Sequence, residues 1–333
     1  MKLATLPEEV VLAEFSPRDG LQNQEKFIPT DAKVWLINGI LECGFARAEV
    51  TSFSSPRYVP QFRDAEEVMR RVKRVPNVTY IFLATNEAAM DRLVKALEQG
   101  LGDGLDSIMV DVVISTSESH CRRNLGRGYE ELWAAMPRLI RKAKEANLQV
   151  VGDVSTAFGC PIEGPVPLER AVEFAGRYLD LGVDEVKFGD TTGEGNPRAA
   201  SQLFSSVRNK YPGATFVAHF HDSRGWGLAN NMAALLEGCT HFDTSLGGIG
   251  GQPPNIIDGI PLSGTGVRYT PSDLTGNTCT EDLACMFQEM GIETGLNLNK
   301  LLDLGRMLER IVGREMYSKV ARTGLVPKAP TGR

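Results

Sequence analysis

DEVKFGDTTGEGNPRAASQLFSSVRNKYPGATFVAHFH, residues 184–221, is the stretch that decides the fold. It opens on a strand-length segment, Asp184–Gly189, and turns through glycine-containing polar residues into Pro197–Lys210, which reads as an amphipathic helix. Thr215–Phe220 then reads as a second strand. Strand, helix and strand at this spacing make a βαβ unit, whose two strands must run parallel because a helix carries the chain back between them.

The same alternation extends in both directions. Six further runs have strand length and composition: Glu9–Phe15, Arg47–Ser52, Val78–Ala84, Asp106–Ser115, Gln149–Thr156 and His241–Leu246. Helical periodicity separates them at Asp31–Cys43, Ala65–Arg74, Glu87–Gln99, Tyr129–Glu145, Leu168–Leu181 and Leu228–Gly238, with Thr280–Met290 after a long loop. Thr30 and Asp31 are expected to cap the first helix, and Gly44, Gly100, Gly182 and Gly238 to end theirs. Eight strand–helix units predict an α/β fold of the closed (β/α)8 TIM-barrel type. An open doubly wound sheet would need a glycine fingerprint after its first strand, where this chain reads SPRDGLQ, which argues against a dinucleotide site. We expect one domain over 1–333, with the barrel over 8–290 and a C-terminal helical extension and tail over 291–333, including a helix at Leu298–Val312.

Composition narrows the function. The 333 residues carry 36 Lys+Arg against 42 Asp+Glu, a net charge of −6, and no basic block, which argues against nucleic acid as a partner. No apolar run is long enough to span a membrane, and Glu8 and Glu9 interrupt the N-terminal region where a signal peptide would be apolar. The six cysteines stand singly, without a C-x-x-C pair, as in reduced cytosolic proteins. A cytoplasmic protein without membrane attachment is expected.

In a barrel of this kind the chemistry gathers where strands end. Arg18 and Asp19 follow the first strand, Glu49, Thr51 and Ser52 lie on the second, Asp111 and Ser115 on the fourth, and Cys160 follows the fifth. Asp190 ends the sixth, His219 and His221 end the seventh, and Gln252 and Asn277 follow the eighth. His219 and His221, two apart on a strand, face the same way about 7 Å apart at the backbone, a spacing that suits two imidazoles on one cation. With the Asp19 carboxylate they make a mixed nitrogen and oxygen set, suited to Mg, Mn or a similar ion and not to a closed zinc site. The bland alternative is a polar barrel lining. His241, at the start of its strand, sits away from the mouth. His120 lies beside Arg122, Arg123 and Arg127, either a solvated loop or a receiver of phosphate or carboxylate groups. Glu49 and Asp190 are expected to hold Arg18 as an ion pair, a fixed positive charge beside a developing oxyanion.

Ser16-Pro17-Arg18-Asp19-Gly20-Leu21-Gln22-Asn23 resembles the opening motif of metal-dependent barrel lyases and aldolases. Glu49-Val50-Thr51-Ser52-Phe53, Phe158-Gly159-Cys160-Pro161-Ile162-Glu163-Gly164, Gly189-Asp190-Thr191-Thr192-Gly193, His219-Phe220-His221-Asp222, Gly247-Gly248-Ile249-Gly250-Gly251 and Gly276-Asn277 are similar, in order and spacing, to the hydroxymethylglutaryl-CoA lyase branch. That resemblance implies a retro-Claisen cleavage of a 3-hydroxyacyl-CoA. Asp19, His219, His221 and Asn277 match metal ligands, Arg18 the residue that steadies the enolate, and Glu49 and Asp190 supporting carboxylates; His219 counts with these catalytic groups too. Gln22, Arg122, Arg123 and Asn124 are the expected coenzyme A contacts. An acyl-CoA substrate, a divalent metal, Mg or Mn, and a homo-oligomer follow from the same resemblance.

One position departs from the pattern. Where that branch carries a proton-transferring cysteine directly after the glycine-rich stretch, this chain has Gln252, and the loop to Asn277 is longer, carrying Pro253-Pro254-Asn255-Ile256-Ile257-Asp258-Gly259 and Arg268-Tyr269. Glutamine cannot exchange a proton near neutrality. Cys279, at the start of the next helix, reads as a small buried residue instead of a substitute. A citramalyl-CoA or methylmalyl-CoA substrate is therefore an alternative, as are a condensing acyltransferase of the isopropylmalate or citramalate synthase kind and an inactive CoA-binding barrel.

Overall fold

Each of the eight expected strands forms in the computed structural model, which describes residues 6–24, 26–251, 255–257, 260–262 and 276–327. They are β1 (Val11–Glu14), β2 (Arg47–Ser52), β3 (Thr79–Leu83), β4 (Ser107–Ser115), β5 (Gln149–Ser155), β6 (Glu185–Asp190), β7 (Thr215–Phe220) and β8 (His241–Thr244). They pair in chain order and close into a barrel, with β8 returning to β1 in parallel register from Val11↔His241 to Glu14↔Thr244. The chain is a (β/α)8 TIM barrel.

Helices α1 (Thr30–Glu42), α2 (Ala65–Arg71), α3 (Glu87–Glu98), α4 (Glu118–Leu125), α5 (Tyr129–Glu145), α6 (Leu168–Asp180), α7 (Pro197–Lys210) and α8 (Gly227–Leu236) lie between the strands. Local chemistry explains several ends: the Asn196 side chain accepts from the backbone N–H groups of Arg198 and Ala199, with Pro197 at the first helical position. The four glycines expected after helices all adopt positive φ, where any other residue would be strained.

Two expectations are corrected. The start of α1 has no side-chain cap: Thr30 is already helical, and its Oγ1 donates to Asp64 Oδ2 at 2.7 Å. The segment from Glu118, read as a loop, is α4, because Ser117 Oγ accepts from the His120 N–H at 3.1 Å and supplies the cap.

The barrel interior is layered. Ala13, Phe15, Ile81, Met109 and Val151 form a small apolar cluster inside it, whereas the main core lies between strands and helices. Ion pairs cross the same interior: Arg47 forks onto Glu185 at 2.7 and 2.6 Å, and Lys187 is buried among Asp111, Asp153 and Asp243. Such interiors are ordinarily filled by branched apolar side chains, so a charged layer marks the floor of a site. Beyond the barrel, β9 (Asn255–Ile257) and β10 (Ile260–Leu262) pair antiparallel. Helices α9 (Thr280–Glu289), α10 (Leu298–Val312) and α11 (Lys319–Thr323) form the C-terminal part.

Candidate active site

The turn after β1 is a single wide helical turn over Ser16–Gly20, closed by the Gly20 N–H on the Phe15 carbonyl at 3.2 Å. Extra-wide turns of this kind recur at functional sites because they re-aim consecutive side chains. Here they aim Arg18 and Asp19 together. Arg18 Nε donates to Glu49 Oε2 at 2.5 Å and its Nη1 to Asp19 Oδ1 at 3.2 Å, all three side chains being buried. Burial alone would lower the Arg18 pKa, but the charges of Glu49 and Asp19 more than reverse this, so the guanidinium stays protonated. Burial pushes the Glu49 carboxyl up, against the pull of Arg18.

Asp19, His219 and His221 converge. Their ligating atoms all lie within 4.8 Å of one another. Asp19 Oδ2 is 3.5 Å from His221 Nε2, and the Nε2 atoms of the two histidines are 3.2 Å apart. Burial pushes the Asp19 carboxyl up, but the neighbouring His221 imidazole and the charge of Arg18 outweigh it and bring it to about 2. Burial, then the charge of Lys187, pushes His219 well below the ordinary histidine value. Two imidazoles pointing nitrogens at each other and toward a buried carboxylate oxygen without a hydrogen-bond partner form a donor set of the kind that holds a cation. Gly250 keeps that space open, since a Cβ there would stand 2.7 Å from Asp19 Oδ2. The residues fit a divalent ion.

Asn277 is fully buried beside them, with Nδ2 3.4 Å from His219 Nδ1 and Oδ1 accepting from the Thr278 N–H at 2.8 Å. Asp243 escaped the sequence reading. Its Oδ2 lies 3.0 Å from His219 Nδ1, so it orients the ring and leaves Nε2 for a ligand. A carboxylate inside an expected barrel strand was the available signal.

Above the cluster opens a cavity of about 430 Å³, lined by Arg18, Asp19, His219 and His221 at one end and by His120, Arg123 and Asn124 at the other. Asn124 Nδ2 lies 2.5 Å from His120 Nε2, and burial lowers the His120 pKa to about 4, so the ring is neutral. Other expected site residues lie elsewhere. Arg122 does not line the cavity; its guanidinium pairs with Glu118 Oε1 at 2.6 Å, as the i,i+4 spacing on α4 dictates. Gln22 lines the cavity, but its Nε2 is committed to Asp19 Oδ1 and to the Gly251 carbonyl, both at 2.8 Å. Asp190 does not pair with Arg18: its carboxylate accepts from the Glu194 and Gly195 N–H groups and shapes the turn after β6, with burial raising its pKa to about 6. Cys279 is buried, donates to Glu281 Oε2 at 3.0 Å and is pushed well above the usual thiol range by burial, which leaves it unreactive. Gln252, with residues 253–254, 258–259 and 263–275, lies outside the described residues.

Residues 9–308 match the HMGL-like family across most of the chain. The chain belongs to that family. A hydroxymethylglutaryl-CoA lyase of Bacillus subtilis is 34% identical over 94% of this chain and 96% of its own length. The human mitochondrial hydroxymethylglutaryl-CoA lyase is 33% identical over 96% of this chain and 91% of its own. An HMG-CoA lyase from Acinetobacter baumannii, solved in complex with coenzyme A and 3-methylmalate, superposes with a TM-score of 0.84 at 33% identity, covering 97% of both chains. Members of the HMGL-like family bearing these names are carbon–carbon lyases, and this chain is an enzyme of that kind. Among the described residues no helix is long and apolar enough to cross a membrane.

Proposed function

We propose that the chain is a divalent-metal-dependent acyl-CoA lyase that cleaves 3-hydroxy-3-methylglutaryl-CoA to acetyl-CoA and acetoacetate, in the cytoplasm. The observation that carries this reading is the unpartnered Asp19 Oδ2 facing two imidazole nitrogens, with Arg18 locked beside it at one end of the cavity. Asp19, His219, His221 and Asn277 would hold Mg or Mn, which when bound supplies Lewis acidity toward the substrate's hydroxyl and a neighbouring oxygen.

The protein's own groups do the rest. Glu49 and Asp19 hold the Arg18 guanidinium in one place, so its charge meets the thioester oxygen as the enolate forms, without reorganisation. Asp243 fixes His219, and Gln22 fixes Asp19. Arg123 and Asn124, which line the far end of the cavity, would meet coenzyme A, whereas Arg122 is paired with Glu118.

The test is incubation of the purified, Mg- or Mn-loaded protein with a panel of 3-hydroxyacyl-CoA thioesters, following acetyl-CoA by mass. Cleavage of 3-hydroxy-3-methylglutaryl-CoA supports the reading. A second reading, a citramalyl-CoA type lyase, is favoured by Gln252 where the branch has cysteine; it wins if citramalyl-CoA alone is cleaved. No cleavage of any member defeats both.

A further inference from the structure

Retro-Claisen cleavage needs a group that removes the hydroxyl proton and one that protonates the departing carbon, and Gln252 supplies neither. The cavity wall contains another candidate. Besides the Asp19–His219–His221 group, the titratable residues that line the cavity among the described residues are Arg18, Tyr58, His120, Arg123 and Asp153. The two arginines keep their protons, Tyr58 is half exposed, and His120 sits at the Arg123 end beside Asn124. Asp153 stands on β5 at the floor.

Its surroundings set up proton exchange. Lys187 Nζ, from β6, touches Asp111 of β4, lies 3.2 Å from Asp153 Oδ2 and 3.8 Å from Asp243 Oδ2. One ammonium is thus shared by three carboxylates, and Asp153 is the one of the three that reaches the cavity; the others are closed off from water. Asp153 Oδ1 is buried, has no hydrogen-bond partner and faces Gly189, where a Cβ would stand 3.4 Å away. From the other elements around it, Arg18 pulls toward the ionised form and Asp111 toward the protonated one, while the Tyr178 hydroxyl of α6 is turned to the Asp153 main-chain carbonyl at 3.5 Å. Burial is the largest influence and raises the carboxyl well above the ordinary aspartate value, toward neutrality.

We propose that Asp153 is the proton-transfer group of this lyase. The proposal rests on the reaction assigned above. As a carboxylate, Asp153 takes the proton of the substrate's 3-hydroxyl. The O–H electron pair forms the new carbonyl, the C2–C3 bond breaks, and its electrons pass into the thioester enolate beside Arg18. Asp153 then returns the proton to C2, giving acetyl-CoA, so the carboxyl ends the turnover as it began and no further reactant is needed. Lys187 is a positioning residue, which holds Oδ2 and balances the charge when the proton leaves.

The experiment uses the Mn-loaded full chain with 3-hydroxy-3-methylglutaryl-CoA. Asp153→Asn should lower kcat by about a hundredfold or more with KM within about threefold, and abolish exchange of the acetyl-CoA methyl hydrogens in D2O. In the wild type, kcat/KM should fall on the acid side as Asp153 is protonated. Asp111→Asn, which removes the neighbouring negative charge, should move that limb to lower pH. Retention of kcat within about threefold in Asp153→Asn overturns the proposal. If that variant fails to fold, a carboxyl 13C NMR titration of the Mg-loaded wild type decides; a wild type that cleaves no thioester defeats the lyase reading and this role with it. Titration of Asp153 near neutrality upholds the proton-transfer role, and an Asp153 ionised down to pH 4 rules it out.

Discussion

His219 Nδ1 lies 3.0 Å from Asp243 Oδ2, a carboxylate–imidazole pair that crosses from β7 to β8 beside Asp19 and His221. The carboxylate fixes the tautomer and increases the ring's basicity toward a cation. Asp243→Asn should therefore weaken Mn binding by about 10- to 100-fold while leaving the fold intact, as read by calorimetric or paramagnetic titration. Unchanged affinity would remove Asp243 from the metal site.

Arg18 depends on its shape as well as its charge. Its Nε and Nη1 engage Glu49 and Asp19 at once, a fork that an ammonium cannot copy. Arg18→Lys should lower kcat by about 100- to 1,000-fold with little change in KM, since the lost interaction belongs to the enolate and not to substrate binding. Steady-state kinetics at saturating metal separate the two parameters.

Glu281 gives a pH-dependent stability signature. Burial raises its carboxyl to about 7 despite hydrogen bonds from Cys279 and the Gly247 N–H. The folded state therefore binds more protons than the unfolded one between about pH 4.5 and 7, so this group's penalty is absent below that window and complete above it. Glu281→Gln should stabilise the protein relative to wild type by an amount that grows from pH 5 to pH 8, up to about 3 kcal/mol. Thermal melts of both proteins across that range give the difference directly.

Asp282 anchors the C-terminal part. Its Oδ1 accepts from Ser318 Oγ at 3.0 Å and from the Val320 N–H at 2.9 Å, and its Oδ2 accepts from the Lys319 N–H at 2.9 Å. Asp282→Ala should cost about 1–3 kcal/mol and open the chain near Ser318 to limited proteolysis.

The fold was readable because each βα unit carries its own punctuation, and strand edges moved by only a residue or two between expectation and structure. That Asp19, His219 and His221 come together was readable because Arg18-Asp19 and His219-Phe220-His221 are contiguous motifs at strand ends. What could not be read was whatever depends on which strands face one another. Lys187, Asp153 and Asp243 are dispersed over three strands, and only barrel closure brings them together. Arg122 and Thr30 show the opposite limit: each has the right residue type for its expected task, but helix phase turns one toward Glu118 and the register of α1 puts the other past the cap.

The first and last βα connections are fastened to each other where the barrel closes. Gln22 holds the Gly251 carbonyl, and Gly20 lies so close to Ile249 that an added Cβ would approach its Cγ1 to 2.6 Å. This fastening acts as a firebreak. Whatever is inserted, lengthened or replaced beyond Gly251 begins from a point already tied to the segment that carries Arg18 and Asp19. Exchange of residues 252–275 is therefore expected to leave the alignment of Arg18 and Asp19 in place. A chimaera carrying a relative's loop from 252 to 275 should retain metal affinity while its preference among thioesters follows the donor.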